Sequence, residues 1–159
     1  MASMVETGLS LGEVSPQPEV GMVPAGMIPL VWPGVLEILQ AKGTEWLQTV
    51  SEEEVYNWLI TGRADLWLGM QNCVLDGFVI CQWEVHDRAK FYHVVYIAGD
   101  GLKKYLAIGL QQLERYSCIL GAKEMIFEGR PGWQRVLRRY GYAPGSVRMK
   151  KAVTQLWSN

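Results

Sequence analysis

Residues 65–101, DLWLGMQNCVLDGFVICQWEVHDRAKFYHVVYIAGDG, decide the fold class, because three runs of strand-forming residues follow one another with only short polar breaks. The first run alternates apolar residues over 65–71, and the next two, 75–85 and 91–97, are rich in β-branched and aromatic residues. Turn-forming residues lie at 72–76 and 86–90. This stretch therefore predicts a meander of three antiparallel strands.

Two helices are predicted upstream of the meander. Residues 31–42 form the first, with Pro33 tolerated in its first turn and Gly43 ending it, and residues 27–30 are predicted as a short strand. The second helix follows Ser51, an N-cap residue with Glu54 three positions on, which is the pattern of a capping box.

Downstream, residues 102–121 are predicted as a long helix, followed by a strand at 123–128, a short helix at 133–140 and a last strand at 146–153. The buried face of the long helix is predicted to carry Leu102, Leu106, Leu110, Leu113, and Ile119 or Leu120. This order of elements predicts an α/β (α+β) domain of three layers with a central mixed, mostly antiparallel sheet.

Length and composition limit the remaining possibilities. The 159 residues are 49% hydrophobic, enough for one cored domain, and the net charge of −1 excludes a global polycation. Residues 1–26 are rich in Gly and Pro and lack aromatic residues, so we expect an extended N-terminal arm before a domain at 27–155. The spacing of the three cysteines indicates no metal site and no redox dithiol. The first basic residue is Lys42, so we expect a protein that is not secreted.

The segment GRPGWQRVLRRYGY, residues 129–142, carries the most specific resemblance in the chain. With the order of elements, it resembles the late helix of the Gcn5-related N-acetyltransferase (GNAT) fold, which closes with Gly and an aromatic residue. It also resembles small GNAT-like proteins of tailed bacteriophages. The resemblance covers nearly the whole predicted domain.

The resemblance implies a phosphate cradle for coenzyme A before the long helix. The matching residues are Gly99, Gly101, Lys103 and Lys104, while Tyr96 occupies the position where the family has Arg or Gln. Asp100 adds a carboxylate that would repel phosphates. The alternative interpretation is an ordinary strand-to-helix turn whose glycines serve only the backbone shape.

The family's acid and base are harder to place. Leu137 occupies the position where the family usually has a Tyr as proton donor, and Arg130 occupies the position, seven residues earlier, where the family often has Asn. Tyr140 and Tyr142 are nearby but do not occupy the position of the proton donor. Candidates for the general base are Glu84, His86, His93 and Glu128, each of which is equally well explained as an ordinary strand or turn residue. The expectation is therefore that no residue is catalytic and that no metal is bound.

The charges are unevenly distributed along the chain. Residues 1–41 hold four glutamates and no basic residue, whereas residues 123–151 hold eight basic and two acidic residues. The predicted contact residues are Arg130, Trp133, Arg135, Arg138 and Arg139, of which the last three share one helix face. The face is either a solvated surface or a contact for a phosphate backbone, other proteins or copies of this chain.

These observations lead to two functional hypotheses. The first is a non-catalytic, virion-associated structural protein of a tailed phage, without cofactor, made in the host cytoplasm and assembling with portal, internal core or other virion proteins. The alternative is an acetyl-CoA-dependent N-acetyltransferase.

Overall fold

The computed structural model describes residues 17–128, 131–145 and 148–153. Two 3₁₀ turns, Ala25–Met27 and Trp46–Gln48, accompany the regular elements. The helices and strands, in chain order, are β1 (Glu19–Val23), α1 (Ile28–Lys42), α2 (Glu52–Ile60), β2 (Asp65–Gln71), β3 (Val74–His86), β4 (Ala89–Gly99), α3 (Leu102–Ile119), β5 (Ala122–Glu128), α4 (Pro131–Arg138), β6 (Ala143–Gly145) and β7 (Arg148–Ala152).

The seven strands form one mixed sheet in the order β1-β2-β3-β4-β5-β7-β6. Strands β4 and β5 are parallel, and the pairs β1–β2, β5–β7 and β6–β7 are antiparallel. Two-residue turns join β2 to β3 and β3 to β4, with positive φ at Asn72 and Cys73 and at Asp87 and Arg88, as in the hairpin turns that match the twist of the strands. The predicted α+β class with a mostly antiparallel sheet is confirmed.

Local signals located several elements correctly. The Ser51 hydroxyl accepts a hydrogen bond from the Glu54 N–H at 3.1 Å, and the Glu54 carboxylate accepts one from the Ser51 N–H at 3.0 Å, so the predicted capping box is present. Strand β2 has the predicted bounds. The three meander strands, the long helix and strand β5 lie within a few residues of their predicted positions.

Two local predictions are wrong. Residues 28–30 open helix α1 instead of forming a strand, because a proline at Pro29 is compatible with the first turn of a helix. Ile119 and Leu120, predicted to be buried, are 67% and 43% exposed, because the buried face of α3 carries Tyr105 and Glu114 instead. The predicted last strand corresponds to β7, which a further short strand, β6, precedes, and residues 146–147 between them lie outside the described residues.

Part of the predicted arm belongs to the sheet. Strand β1 pairs with β2 from Glu19 opposite Met70 to Val23 opposite Leu66. The segment is extended and largely exposed, as its composition indicates, but its backbone is held by a neighbouring strand. Residues 1–16 lie outside the described part of the chain, and the division into 1–26 and 27–155 stays a prediction.

The described residues divide into two compact units. The first unit takes the chain up to Ile80 and the segment Ile97–Gly109, and the second takes Cys81–Tyr96 and the chain from Leu110 onward. Buried side chains of the first unit include Ile28, Val35, Leu39, Val55, Leu59, Leu66 and Phe78; those of the second include Tyr92, Leu113, Met125, Leu137 and Tyr142. Among the helices of the described residues, none is long and apolar enough to span a membrane.

Candidate functional site

The predicted phosphate-binding residues come together in the first unit, at the turn between β4 and α3. Gly99 ends β4 and Gly101 precedes α3, with φ values of 143° and 64° that favour glycine. Lys103 and Lys104 lie in the first turn of the 18-residue helix α3. The turn therefore combines the positive end of a long helix dipole with two basic residues.

The backbone of β3 explains Gly99 without a ligand. A Cβ atom on Gly99 would overlap the backbone of Asp76 and Gly77, and one on Gly77 would lie 2.6 Å from the Ala98 carbonyl oxygen. The Asp100 N–H also donates to the Asp76 carbonyl oxygen at 3.0 Å. The close approach of the two strands is a sufficient reason for both glycines.

Lys104 is already engaged by neighbours in the first unit. Its Nζ donates to Gln71 Oε1 at 2.7 Å and lies 3.1 Å from Asp76 Oδ2.

The Tyr105 hydroxyl also donates to Asp76. This hydrogen bond lowers the pKa of Asp76 against the opposing effect of desolvation, and Lys104 lowers it further. Burial, and then the Asp76 carboxylate, raise the pKa of Tyr105, which keeps its phenol neutral.

The residues of this turn fit a pyrophosphate group. Asp100, the carboxylate expected to repel phosphates, lies 2.9 Å from Lys42 Nζ, so its charge has an opposite partner. Lys103 is exposed, and the first turn of α3 presents backbone N–H groups. Lys104 can contribute to phosphate binding only if its ammonium group leaves Asp76 for the phosphate.

A second cluster lies in the second unit and unites the four candidate bases. His93 Nδ1 shares a hydrogen bond with the carboxylate of Glu84 on β3. His93 Nε2 lies 2.9 Å from Glu128 Oε1, at the end of β5. Glu84 also lies 3.1 Å from His86 Nε2. We call Glu84, His93 and Glu128 the His93 cluster.

Strand register explains why these residues meet. In the parallel pair β4–β5, His93 lies opposite Ile126, so Glu128 is two residues further along and on the same face as His93. Glu84 reaches the other ring nitrogen from β3, the hairpin partner of β4. A histidine on the middle strand thus lies between carboxylates from both neighbouring strands.

Exposure increases across the His93 cluster from the imidazole to Glu128. The side chains of His93, Glu84 and Glu128 are 10%, 22% and 43% exposed. His93 Nε2 is buried, and the polar atom beside it is Glu128 Oε1 at 2.9 Å. The almost enclosed imidazole thus lies between a half-buried carboxylate and an exposed one.

Nothing in the spacing of these residues predicted the His93 cluster. Glu84 and His93 are 9 residues apart in sequence, and Glu128 belongs to a separate strand beyond α3. The alternation of the strands does place Glu84 and His86 on one face. The pairing register of β4 with β5 is the missing signal, and it is a long-range property.

The tyrosines near the expected proton-donor position serve a different cluster. The Tyr142 side chain is buried, and its hydroxyl donates to Glu114 Oε2 at 2.9 Å. Burial, followed by the charge of Glu114, raises the pKa of Tyr142. Leu137 is fully buried, and the Tyr140 carbonyl oxygen accepts a hydrogen bond from Lys151 Nζ at 2.8 Å. Tyr142 therefore acts as a packed hydrogen-bond donor to Glu114.

The predicted contact surface of α4 is exposed in part. Arg135, Arg138 and Arg139 are exposed, Trp133 is half-buried, and Arg130 lies outside the described residues. Their role in binding a partner stays a prediction. Within the described ranges, no three His, Cys, Asp or Glu side chains are grouped as a metal site.

No protein-family model matches the chain, and no curated protein matches it in sequence. Solved structures match its fold. FeeM, an N-acyl amino acid synthase from uncultured soil microbes, has a TM-score of 0.68 at 14% identity and covers 89% of this chain and 93% of its own. An aminoglycoside 6'-acetyltransferase type Ii has a TM-score of 0.66 at 13% identity and covers 85% and 97%.

A GNAT family acetyltransferase from Brucella melitensis, in complex with acetyl-CoA, has a TM-score of 0.57 at 14% identity and covers 86% of this chain and 88% of its own. These likenesses show a GNAT-like fold, as the sequence resemblance predicted.

The prediction of a non-catalytic virion protein is contradicted by the same comparison. The similar structures are acyl-transferring enzymes, and none of those reported is a phage structural protein. That prediction rested on the departures from the family at Tyr96 and Leu137 and on base candidates with no partner at a telling spacing, whereas the sheet brings Glu84, His93 and Glu128 together.

Proposed function

We propose that this protein is an acetyl-CoA-dependent N-acetyltransferase in which the His93 cluster receives the proton of the acceptor amine. The observation that carries the proposal is the contact of 2.9 Å between the almost enclosed imidazole of His93, through Nε2, and Glu128, the most exposed carboxylate of the cluster. The GNAT-like fold and the acetyl-CoA complex of a similar structure support the choice of reaction.

The turn at Gly99–Gly101 would hold the pyrophosphate of the cofactor. The N–H groups of the first turn of α3 and the exposed side chain of Lys103 supply the positive potential. When bound, acetyl-CoA supplies the thioester whose acetyl group is transferred. Lys104 would have to give up its contacts with Asp76 and Gln71 before it could bind the pyrophosphate, so its contribution to the affinity for the cofactor would be reduced by the loss of those contacts.

Glu128 is the group of the His93 cluster that can touch an acceptor. Its carboxylate is 43% exposed, whereas the imidazole is almost enclosed. As the amine attacks, it forms a C–N bond and loses one proton, which Glu128 Oε accepts. His93 Nε2, 2.9 Å away, stabilises the position of this carboxylate, and Glu84 fixes the imidazole ring through Nδ1. Glu128 is therefore the proposed catalytic residue, and His93 and Glu84 are positioning residues.

The departing thiolate needs no buried acid from this chain. A thiol has a pKa of about 8.5, so its anion is a stable leaving group near neutral pH and takes its proton from water after the C–S bond breaks. The Tyr142 hydroxyl is committed to Glu114 and is not needed for this step.

The test measures coenzyme A release from acetyl-CoA in the presence of primary amines. Glu128→Gln keeps the shape of the side chain and removes its basicity, so we expect kcat to fall by about 10²-fold or more. Glu124→Gln is the matched control, because Glu124 precedes Glu128 by four residues on β5 and therefore lies about 13 Å from it. Its kcat should remain that of the wild type.

Two results would overturn the proposal. The first is the absence of both acetyl-CoA binding in calorimetry and amine-dependent release of coenzyme A from the wild type. The second is an equal loss of kcat in Glu128→Gln and Glu124→Gln, which would indicate a general effect of charge on β5 instead of a base at Glu128.

A further inference from the structure

The side chain of Lys104 folds back over the turn that leads into α3. A Cβ atom added to Gly101 would lie 3.2 Å from Cε and 3.7 Å from Nζ of Lys104, so the ammonium group lies beside the backbone of the turn. From there Nζ donates to Gln71 Oε1 at 2.7 Å and lies 3.1 Å from Asp76 Oδ2. An ammonium group next to the proposed pyrophosphate position is thus held by two side chains of the sheet.

Asp76 is the fixed partner in this ion pair, and Lys104 is the adjustable one. The buried Tyr105 donates its hydroxyl hydrogen to the Asp76 carboxylate, and its ring packs against β2, where a Cβ atom on Gly69 would lie 3.2 Å from it. The Asp76 side chain is 22% exposed, whereas that of Lys104 is 42% exposed. Because a lysine side chain is long and flexible, its ammonium group can change partner while Asp76 stays in place.

We infer that Asp76 competes with the pyrophosphate of the cofactor for Lys104 and thereby sets the affinity of the Gly99–Gly101 turn for anions. An anion at the turn gains the lysine only when the ion pair breaks, and it then faces the carboxylate that the lysine has left. This inference rests on the proposed function and deepens it, with Asp76 as a positioning residue of the cofactor site. Acetyl-CoA and its product coenzyme A carry the same pyrophosphate, so the competition weakens the binding of both.

Calorimetry with coenzyme A, and with inorganic pyrophosphate as the isolated anion, measures this competition. Asp76→Asn keeps an oxygen that can accept the hydrogen bond from Tyr105 but removes the charge that holds Lys104. We expect this variant to bind both probes about fivefold more tightly, which is the size expected for the loss of a partly exposed ion pair. A purely structural role of Asp76 predicts the opposite sign, because a disturbed turn binds an anion less tightly.

The Lys104→Met variant separates the release of the lysine from the mere loss of a negative charge. The gain in affinity from Asp76→Asn should be about threefold larger in the wild-type background than in the Lys104→Met background. Asp100→Asn is the matched control, because it removes another carboxylate near the same turn, one that is paired with Lys42. Its gain should be equal in the two backgrounds. Asp76→Ser should give the same gain as Asp76→Asn and replaces it if the amide disturbs folding.

The results separate this inference from the proposed function. Affinities for both probes that stay at the wild-type level in Asp76→Asn, or a gain that is as large in the Lys104→Met background, overturn the inference. Release of coenzyme A from acetyl-CoA with a primary amine leaves the acetyltransferase proposal intact in that case. The expected gain and its dependence on Lys104, without such release from any amine, support the competition and overturn the acetyltransferase proposal. No binding of either probe by the wild type and the variants overturns the inference.

Discussion

Two buried polar clusters of the second unit, one around Glu114 and one around His93, follow opposite rules. Glu114 is 6% exposed and accepts hydrogen bonds from the Tyr142 hydroxyl and from Lys151 Nζ, so its charge is balanced and its oxygens are occupied. The His93 cluster extends instead from an almost enclosed imidazole to the Glu128 carboxylate, which is 43% exposed. A cluster that is enclosed and satisfied stabilises the fold, whereas a cluster that opens to solvent can meet a substrate.

The Glu114 cluster also joins distant parts of the second unit. Lys151 on β7 reaches Glu114 on α3 and donates to the Tyr140 carbonyl oxygen after α4. The Tyr142 ring packs edge-on against Phe127 of β5 at a centroid distance of 5.2 Å. The Glu114 cluster therefore stabilises the fold through several elements at once. Substitutions in this cluster should reduce stability, whereas substitutions in the His93 cluster should reduce activity.

The largest expected effect is on stability. Lys151→Met leaves the buried carboxylate of Glu114 without its cation, and breaking such a pair costs about 3–5 kcal/mol of the free energy of unfolding. Urea denaturation measures it. The control is Lys123→Met, an exposed lysine on β5, for which the change should stay within about 0.5 kcal/mol. A loss below about 1 kcal/mol for Lys151→Met would remove the distinction between the two clusters.

The next effect is on activity. His93→Gln should lower kcat by about 10²-fold with an unchanged KM for acetyl-CoA, because the glutamine can still bond Glu84 but no longer positions Glu128. Its free energy of unfolding should change much less than that of Lys151→Met, since Glu128, the partner of Nε2, is 43% exposed and water screens this contact. His86→Gln is the matched control and should retain both. A loss of stability without loss of kcat would assign His93 to the fold.

A smaller effect concerns the Tyr142 hydroxyl. Tyr142→Phe removes one of the donors to Glu114 and should cost about 1.5–3 kcal/mol, less than the loss of Lys151. Because burial raises the pKa of Tyr142, the folded state favours the neutral phenol, and this contribution is lost as the pH rises above the ordinary tyrosine value of about 10. Denaturation at pH 8 and pH 11 should therefore show a smaller alkaline loss for Tyr142→Phe than for the wild type. An equal loss would contradict the assignment.

The smallest effect tests a balanced cluster in the first unit. Chiefly the hydrogen bond from Tyr105, and then Lys104, lower the pKa of Asp76 below its ordinary 3.8. A lowered carboxyl pKa stabilises the folded state above the ordinary value, and the contribution is lost as the pH falls through the lower one. Asp76→Asn should thus flatten the dependence of the melting temperature on pH below about 4. Asp100→Asn, which removes an exposed carboxylate paired with Lys42, is the control for the loss of one negative charge, and an equal flattening in both variants would contradict the assignment to Asp76.

Local signals in the sequence predicted much of the fold. Ser51 and Glu54 stand in one helical turn, and the meander strands show their alternation over a few residues, so both patterns can be interpreted without knowledge of the rest of the chain. The buried face of the last turns of α3 could not be predicted from apolar spacing, because Glu114 is buried through partners that lie beyond β5 in the sequence.

The site was predictable as a set of residues but not as an arrangement. Glu84, His93 and Glu128 are all recognisable as proton-accepting side chains, and the pairing of β4 with β5 decides that they touch. Register between distant strands follows from the packing of the whole sheet, so single positions gave no reason to prefer these three residues. The glycine turn, by contrast, was located from its local pattern.

The contact of Gly77 with Gly99 has a consequence for laboratory evolution. The path of the chain into α3 is set by main-chain atoms: two strands touch where no side chain fits, and the Asp100 N–H is bonded to a carbonyl oxygen of β3. The side chains of Asp100 and Lys103 take no part in that path, so libraries that randomise these two positions can vary the charge of the turn while its geometry persists, provided that the glycines are left untouched.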